Sequence, residues 1–172
     1  MNRIAAYAIA LSLATTGAVA LPIAAIAAEG LPQRDPREIA PAAMIGYWKA
    51  DLAASTYPGA KPAAAYRSFA FSEDGKVLVS FATRGVNGKT TFGHWAAQTD
   101  GAPAIEYHSS GGSLPWNVVS WKSTGEGRLA LTVSRQGEAT IEAIYQLSDD
   151  GQTLTYSYGK TVVVYRRWDL LK

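Results

Sequence analysis

The chain has 172 residues, 48% hydrophobic and 17% charged, with 16 Lys+Arg against 14 Asp+Glu and no cysteine. Without cysteine there is no disulfide framework, no thiolate metal site and no cysteine nucleophile, so core packing must hold the fold. The charge is nearly balanced and dispersed, with Arg166-Arg167 its densest basic spot, which argues against nucleic acid or an anionic membrane surface as a partner.

At the N-terminus, Asn2 and Arg3 form a short positive segment, and the Ala-rich stretch from Ile4 to Ile26 carries no charge. Ala25-Ile26-Ala27 fits the small-x-small pattern of signal-peptidase cleavage, so residues 1–27 read as a secretory signal peptide. Ala18-Val19-Ala20 offers an earlier cleavage point. A retained membrane anchor is the alternative, because the uncharged stretch is long enough to span a bilayer. The Ala-rich composition and Pro22 favour cleavage, which leaves no stable membrane anchor. No Arg-Arg pair precedes the apolar run, which points to the general secretory route, and no Cys is present to carry a lipid. The expected location is periplasmic or secreted. Loss of Arg3 leaves 15 basic against 14 acidic residues.

Residues 28–43 read as an extended arm. Its core, Glu29 to Pro41, holds Pro32, Pro36 and Pro41 among charged residues, with room for one helical turn. From residue 44 to 172 the texture is that of a single β domain. Short runs alternate apolar and polar residues between Gly-containing turns. Ile45-Gly-Tyr-Trp-Lys49 opens the series, and Leu52 to Pro62, with Pro58 and Gly59, reads as a long loop. Ala65 to Phe71 places Phe69 and Phe71 on one face, and Ser72-Glu-Asp-Gly75 turns the chain into alternating Val77, Val79 and Phe81. Asn87-Gly88 is a strong hairpin signal before a strand from Thr90 to Gln98. On that strand Phe92, His94 and Ala96 share a face, taken here as the inner one. Asp100-Gly101 leads to a short strand, Ile105 to Tyr107, and then to a Gly/Ser-rich loop, Ser109 to Trp116, read as a gate at a barrel mouth or a plain connection. Strands follow at Asn117–Lys122, Leu129–Val133, Ala139–Leu147, Thr153–Tyr158 and Thr161–Trp168. The result is an all-β, antiparallel up-and-down meander of about eight to ten strands. Short turns force antiparallel neighbours, and closure into a barrel removes two exposed edges, with a two-sheet sandwich as the alternative.

Gly46-x-Trp48 on the first strand, with Arg166 and Arg167 on the last, resembles the first-strand motif of the lipocalins. In that family the Trp plugs the closed barrel end and a basic residue from the last strand packs across it, a cation–π clamp. The order Ile45-Gly-Tyr-Trp-Lys-Ala-Asp-Leu-Ala-Ala-Ser55, Asn87-Gly88-Lys89, Asp149-Asp-Gly-Gln-Thr-Leu154 and Val162-Val-Val-Tyr165 extends the likeness to small exported bacterial lipocalin-like proteins over nearly the whole domain. The chain departs from them at Tyr107 to Trp116. The resemblance implies a lipocalin-like barrel and a plug of Gly46, Trp48 and one of Arg166 or Arg167. The apolar face of Val162 and Val164 turns Arg166 inward, whereas the family match selects Arg167.

The candidate ligand-binding residues are Phe69, Phe92, His94, Tyr145, Tyr156 and Trp116, an apolar lining with a few polar tips. Tyr158 shares the apolar face of its strand with Tyr156. The partner they suggest is a small apolar molecule. A metal site would need His94 and His108 with a distant Glu106 or Glu142, which is not a ligand spacing, so no metal and no other cofactor is expected. Glu106 and His108 read as an exposed polar edge, and Glu142 as solvated. No Gly-x-Ser-x-Gly elbow and no phosphate loop is present. Two further functions stay open. One is a barrel enzyme of isomerase, cyclase or lyase type, with His94 and Tyr145 or Arg166 moving a proton inside the cavity. The other is an inhibitor of an exported protease acting through residues 29–41.

Overall fold

Alternation of apolar and polar side chains lets every strand bury one face, and ten such strands in sequence leave their inner faces only each other to pack against. The computed structural model describes residues 42–109, 117–125 and 127–169. After a short 3-10 turn, Ala42–Met44, the strands are β1 (Gly46–Thr56), β2 (Ala64–Phe71), β3 (Val77–Arg84), β4 (Thr90–Ala97) and β5 (Ala104–His108). They continue as β6 (Asn117–Gly125), β7 (Arg128–Arg135), β8 (Glu138–Leu147), β9 (Thr153–Tyr158) and β10 (Thr161–Arg167). Each pairs antiparallel with the next, and β10 returns to pair with β1, closing the barrel. The sandwich alternative is thereby excluded.

β1 is longer than the sequence suggests. It runs to Thr56, through half of the segment read as a loop. The register to β10 shifts between Asp51 and Thr56, and Ser55 bridges the break. Its hydroxyl donates to the Asp51 carbonyl at 2.6 Å and accepts the Val164 N–H at 2.9 Å. A side chain thus replaces the ladder bond that the bulge displaces, and the strand continues past it.

β4 faces the opposite way from the expectation. Gly93, Trp95 and Ala97 point inward and are buried, whereas Phe92, His94 and Ala96 lie outside, with Phe92 58% exposed. Trp95 brings the largest apolar surface of the strand, so its face turns inward. Gly93 then makes room for Phe81 of β3. A Cβ at Gly93 would stand 2.5 Å from the Phe81 ring and from the Tyr107 carbonyl oxygen. On β5, Glu106 is buried rather than exposed, because Ile105 and Tyr107 occupy the outer face.

One end of the barrel is closed by Trp48, which is fully buried. Its indole Nε1 donates to the Met44 carbonyl at 2.9 Å, tying the 3-10 turn across the opening. Trp48 and Arg167 are register partners on β1 and β10, so they share a face. The Arg167 guanidinium lies 4.4 Å from the Trp48 ring centroid, and it donates to the carbonyls of Ile45 (2.9 Å), Gly151 (3.2 Å) and Ala43. Arg166 points outward, to Asp51 at 3.4 Å and Thr153 at 2.7 Å. Arg167 wins the inner position because Val163 and Tyr165 are the buried face of β10; Val162 and Val164 are only half-buried. Gly46 adopts φ 125°, and a Cβ there would come within 2.9 Å of Arg167 Nη1.

Two substitutions test this end. Trp48→Ala should lower the unfolding free energy by about 3–5 kcal/mol in denaturant titration, and Gly46→Ala by about 1–3 kcal/mol through backbone strain alone. A loss below about 1 kcal/mol for Trp48→Ala would contradict its role as a plug.

Candidate functional site: the barrel interior

The interior above the plug is walled by aromatic rings. Phe69 (β2) stacks on Trp121 (β6) at 6.4 Å and meets Tyr145 (β8) edge-on at 5.7 Å. Trp121 meets Trp95 (β4) at 6.2 Å, and Trp95 meets Phe81 (β3) at 6.2 Å. Arg67 (β2) completes the circuit, its guanidinium 5.5 Å from the Phe81 ring and 5.3 Å from that of Tyr145. Six side chains therefore form one continuous ring of contacts around the bore.

Arg67 follows from local pairing. On β2 the side chains of Ala65, Arg67 and Phe69 share the inward face, so the strand that buries Phe69 must carry Arg67 inside as well. Its long stem reaches across the bore to the rings of Tyr156 (4.4 Å) and Tyr165 (5.8 Å). Nε donates to the Tyr165 hydroxyl at 3.2 Å. The guanidinium packs among these rings, and the residue keeps part of its surface accessible. Arginine stays protonated in such settings, and the ring faces around it supply cation–π stabilisation.

Glu106 is the buried carboxylate of the described interior. It accepts from Asn117 Nδ2 at 3.4 Å, and Asn117 in turn accepts from Arg135 Nε at 2.9 Å. Three buried polar atoms, Trp95 Nε1, Trp121 Nε1 and the Tyr145 hydroxyl, have no hydrogen-bond partner among the described residues. Burial pushes the Tyr145 and Tyr156 hydroxyls above their ordinary pKa, against the pull of Arg67. Tyr57, packed against the core, is pushed up to about 12 by burial and by its neighbours Tyr165 and Tyr158.

The structure brings Phe69, Tyr145 and Tyr156 together as the sequence suggests, and separates them from Phe92 and His94. His94 stacks on Tyr107 on the outer wall, with ring centroids 5.1 Å apart. An outer imidazole cannot move a proton inside the bore, so the enzyme reading built on His94 falls. Arg166, its other proposed basic partner, is also outside. Trp116 lies outside the described residues, and Tyr158 sits at the rim, in contact with Tyr156 at 5.3 Å. The sequence does not mark Arg67, Trp95, Trp121, Phe81 or Tyr165 as site residues. The signal for Arg67 is a charge inside an apolar alternation, Ala65-x-Arg67-x-Phe69. No group of three His, Asp or Glu that could hold a metal occurs among the described residues. No protein-family model matches the chain, and no curated protein matches it either.

Folding holds these tyrosines neutral, so their contribution to stability is complete below about pH 10 and is lost as pH rises through the folded pKa. Ultraviolet titration should show Tyr57 ionising only near 12, with Tyr145 and Tyr156 also delayed. Tyr57→Phe should remove one late-ionising group. Ordinary titration of all tyrosines in the folded protein would contradict the enclosed placement.

Proposed function

We propose that this chain is an exported, lipocalin-like protein that holds a small apolar ligand in its barrel interior. The observation that carries the reading is the ring of aromatic side chains that includes an inward-facing Arg67 with part of its surface accessible. A barrel of this size encloses one small ligand or is filled by its own side chains, and the accessible surface left at an inward-facing Arg67 favours the former. The Gly46-x-Trp48 plug beneath Arg167 supports membership of the lipocalin-like group, since the clamp joins the first strand to the last as the family resemblance implies. The Ala-rich segment of residues 1–27 supports export to the periplasm or beyond it. A small molecule, rather than nucleic acid or a membrane, is the partner these features fit.

The test is binding of a neutral apolar fluorophore, N-phenyl-1-naphthylamine, to the purified protein. Emission should rise and saturate at one probe per chain. His94→Ala, on the outer wall, should leave both the affinity and the unfolding midpoint unchanged, within about 0.5 kcal/mol in stability. Tyr156→Ala, on the inner wall, should change the affinity. No saturable rise in emission would overturn the reading.

A further inference from the structure

We infer that the interior ligand is an apolar or aromatic acid whose carboxylate sits between Arg67 and Tyr145. This rests on the reading of the barrel interior as a binding site, and it adds the chemistry of the ligand's polar end.

The hydrogen-bonding groups of the interior are unbalanced. Arg67 has donors only, and its Nε is committed to Tyr165. Its Nη1 and Nη2 make no hydrogen bond among the described residues, and no ion pair joins it to Glu106. In the same ring of contacts, Trp95 and Trp121 bury indole N–H groups that can only donate, and Tyr145 buries a hydroxyl free to donate. Tyr145 is 0% exposed and its ring lies 5.3 Å from the Arg67 guanidinium. The ring of contacts that includes this cation thus carries three unpaired donors, and the buried carboxylate of the described interior, Glu106, is already held by Asn117.

A carboxylate answers this imbalance in kind. It accepts only, offers two oxygens, and matches the planar fork of a guanidinium. One oxygen faces the free Nη groups, and the other is within the reach of the Tyr145 hydroxyl. The rest of the molecule lies against the rings of Phe69, Phe81 and Tyr156. A purely neutral ligand satisfies the rings and leaves the donors unanswered. An internal water answers one or two donors and brings no charge. Glu106 on β5 is an acceptor held by Asn117 of β6, so the side that offers free donors to a carboxylate is that of Arg67.

The experiment is isothermal titration of the full protein with matched acid and amide pairs near neutral pH. The pairs are 2-naphthoate with 2-naphthamide and octanoate with octanamide. In at least one pair the acid should bind about tenfold more tightly than its amide. Tyr145→Phe, which removes only an unpartnered hydroxyl, should weaken the acid and spare the amide. Arg67→Met should bring the acid down to the affinity of the amide. Should Arg67→Met fail to fold, the wild-type comparison and Tyr145→Phe still decide. Equal binding of acid and amide would overturn the anion inference and leave apolar binding standing. If neither acid nor amide binds while the neutral fluorophore does, the inference falls alone. If no probe binds, the inference and the binding-site reading fall together.

Discussion

The pairing of β1 with β10 is the contact on which everything else depends. Eight of the ten strands are joined to both neighbours along a simple meander, but β1 and β10 meet only because the barrel closes. That seam is pinned by Trp48 and Arg167, which face each other across it with the cation 4.4 Å from the ring. The same guanidinium ties down the carbonyls of Ala43, Ile45 and Gly151. One side chain thus joins the entering chain, the last strand and the turn before β9. Without it the two edges would be open templates for pairing with other chains. Ser55 secures the same seam further along, where the bulge breaks the ladder.

Closure also decides what the interior can hold. Ten inner faces converge on a narrow bore, and large rings from β2, β3, β4, β6, β8 and β9 occupy much of it. A stability-driven core would stop there, with apolar side chains and no stranded donors. This core carries a guanidinium, a carboxylate, two indole N–H groups and a tyrosine hydroxyl that the described residues leave unpartnered or weakly partnered. Buried polar groups without partners oppose folding. Their retention at the centre of a barrel is the physical ground for treating the bore as a site and not only as packing.

Much of the fold was legible in the sequence, for definable reasons. Period-2 alternation and Gly-containing turns mark the strands, and short turns permit only antiparallel neighbours. Trp48 and a C-terminal arginine are legible from a Gly-x-Trp pair and a terminal basic pair, but strand alternation alone points to Arg166, and Arg167 is selected only by the family resemblance. The face of β4 was not. Thr90-Phe92-His94-Ala96 and Thr91-Gly93-Trp95-Ala97 are both half apolar, and the choice is made by Trp95 and by Phe81 of the neighbouring strand fitting over Gly93. That complementarity exists only once β3 and β4 are paired. The burial of Glu106 is hidden for a related reason: a carboxylate reads as solvent-facing, and only the folded barrel puts its neighbours Ile105 and Tyr107 on the outer wall. Arg67 is not legible as an interior residue, because a charge in a strand ordinarily belongs to the surface, whereas here it shares a face with Phe69.

The central claim is that the bore is a site for a small amphipathic molecule. Native mass spectrometry of the protein purified from its own host tests it most directly. The account predicts one bound small molecule per chain, released on denaturation and bearing an acidic group. Protein that carries only its own mass, and gains none after incubation with a total lipid extract of that host, would contradict it.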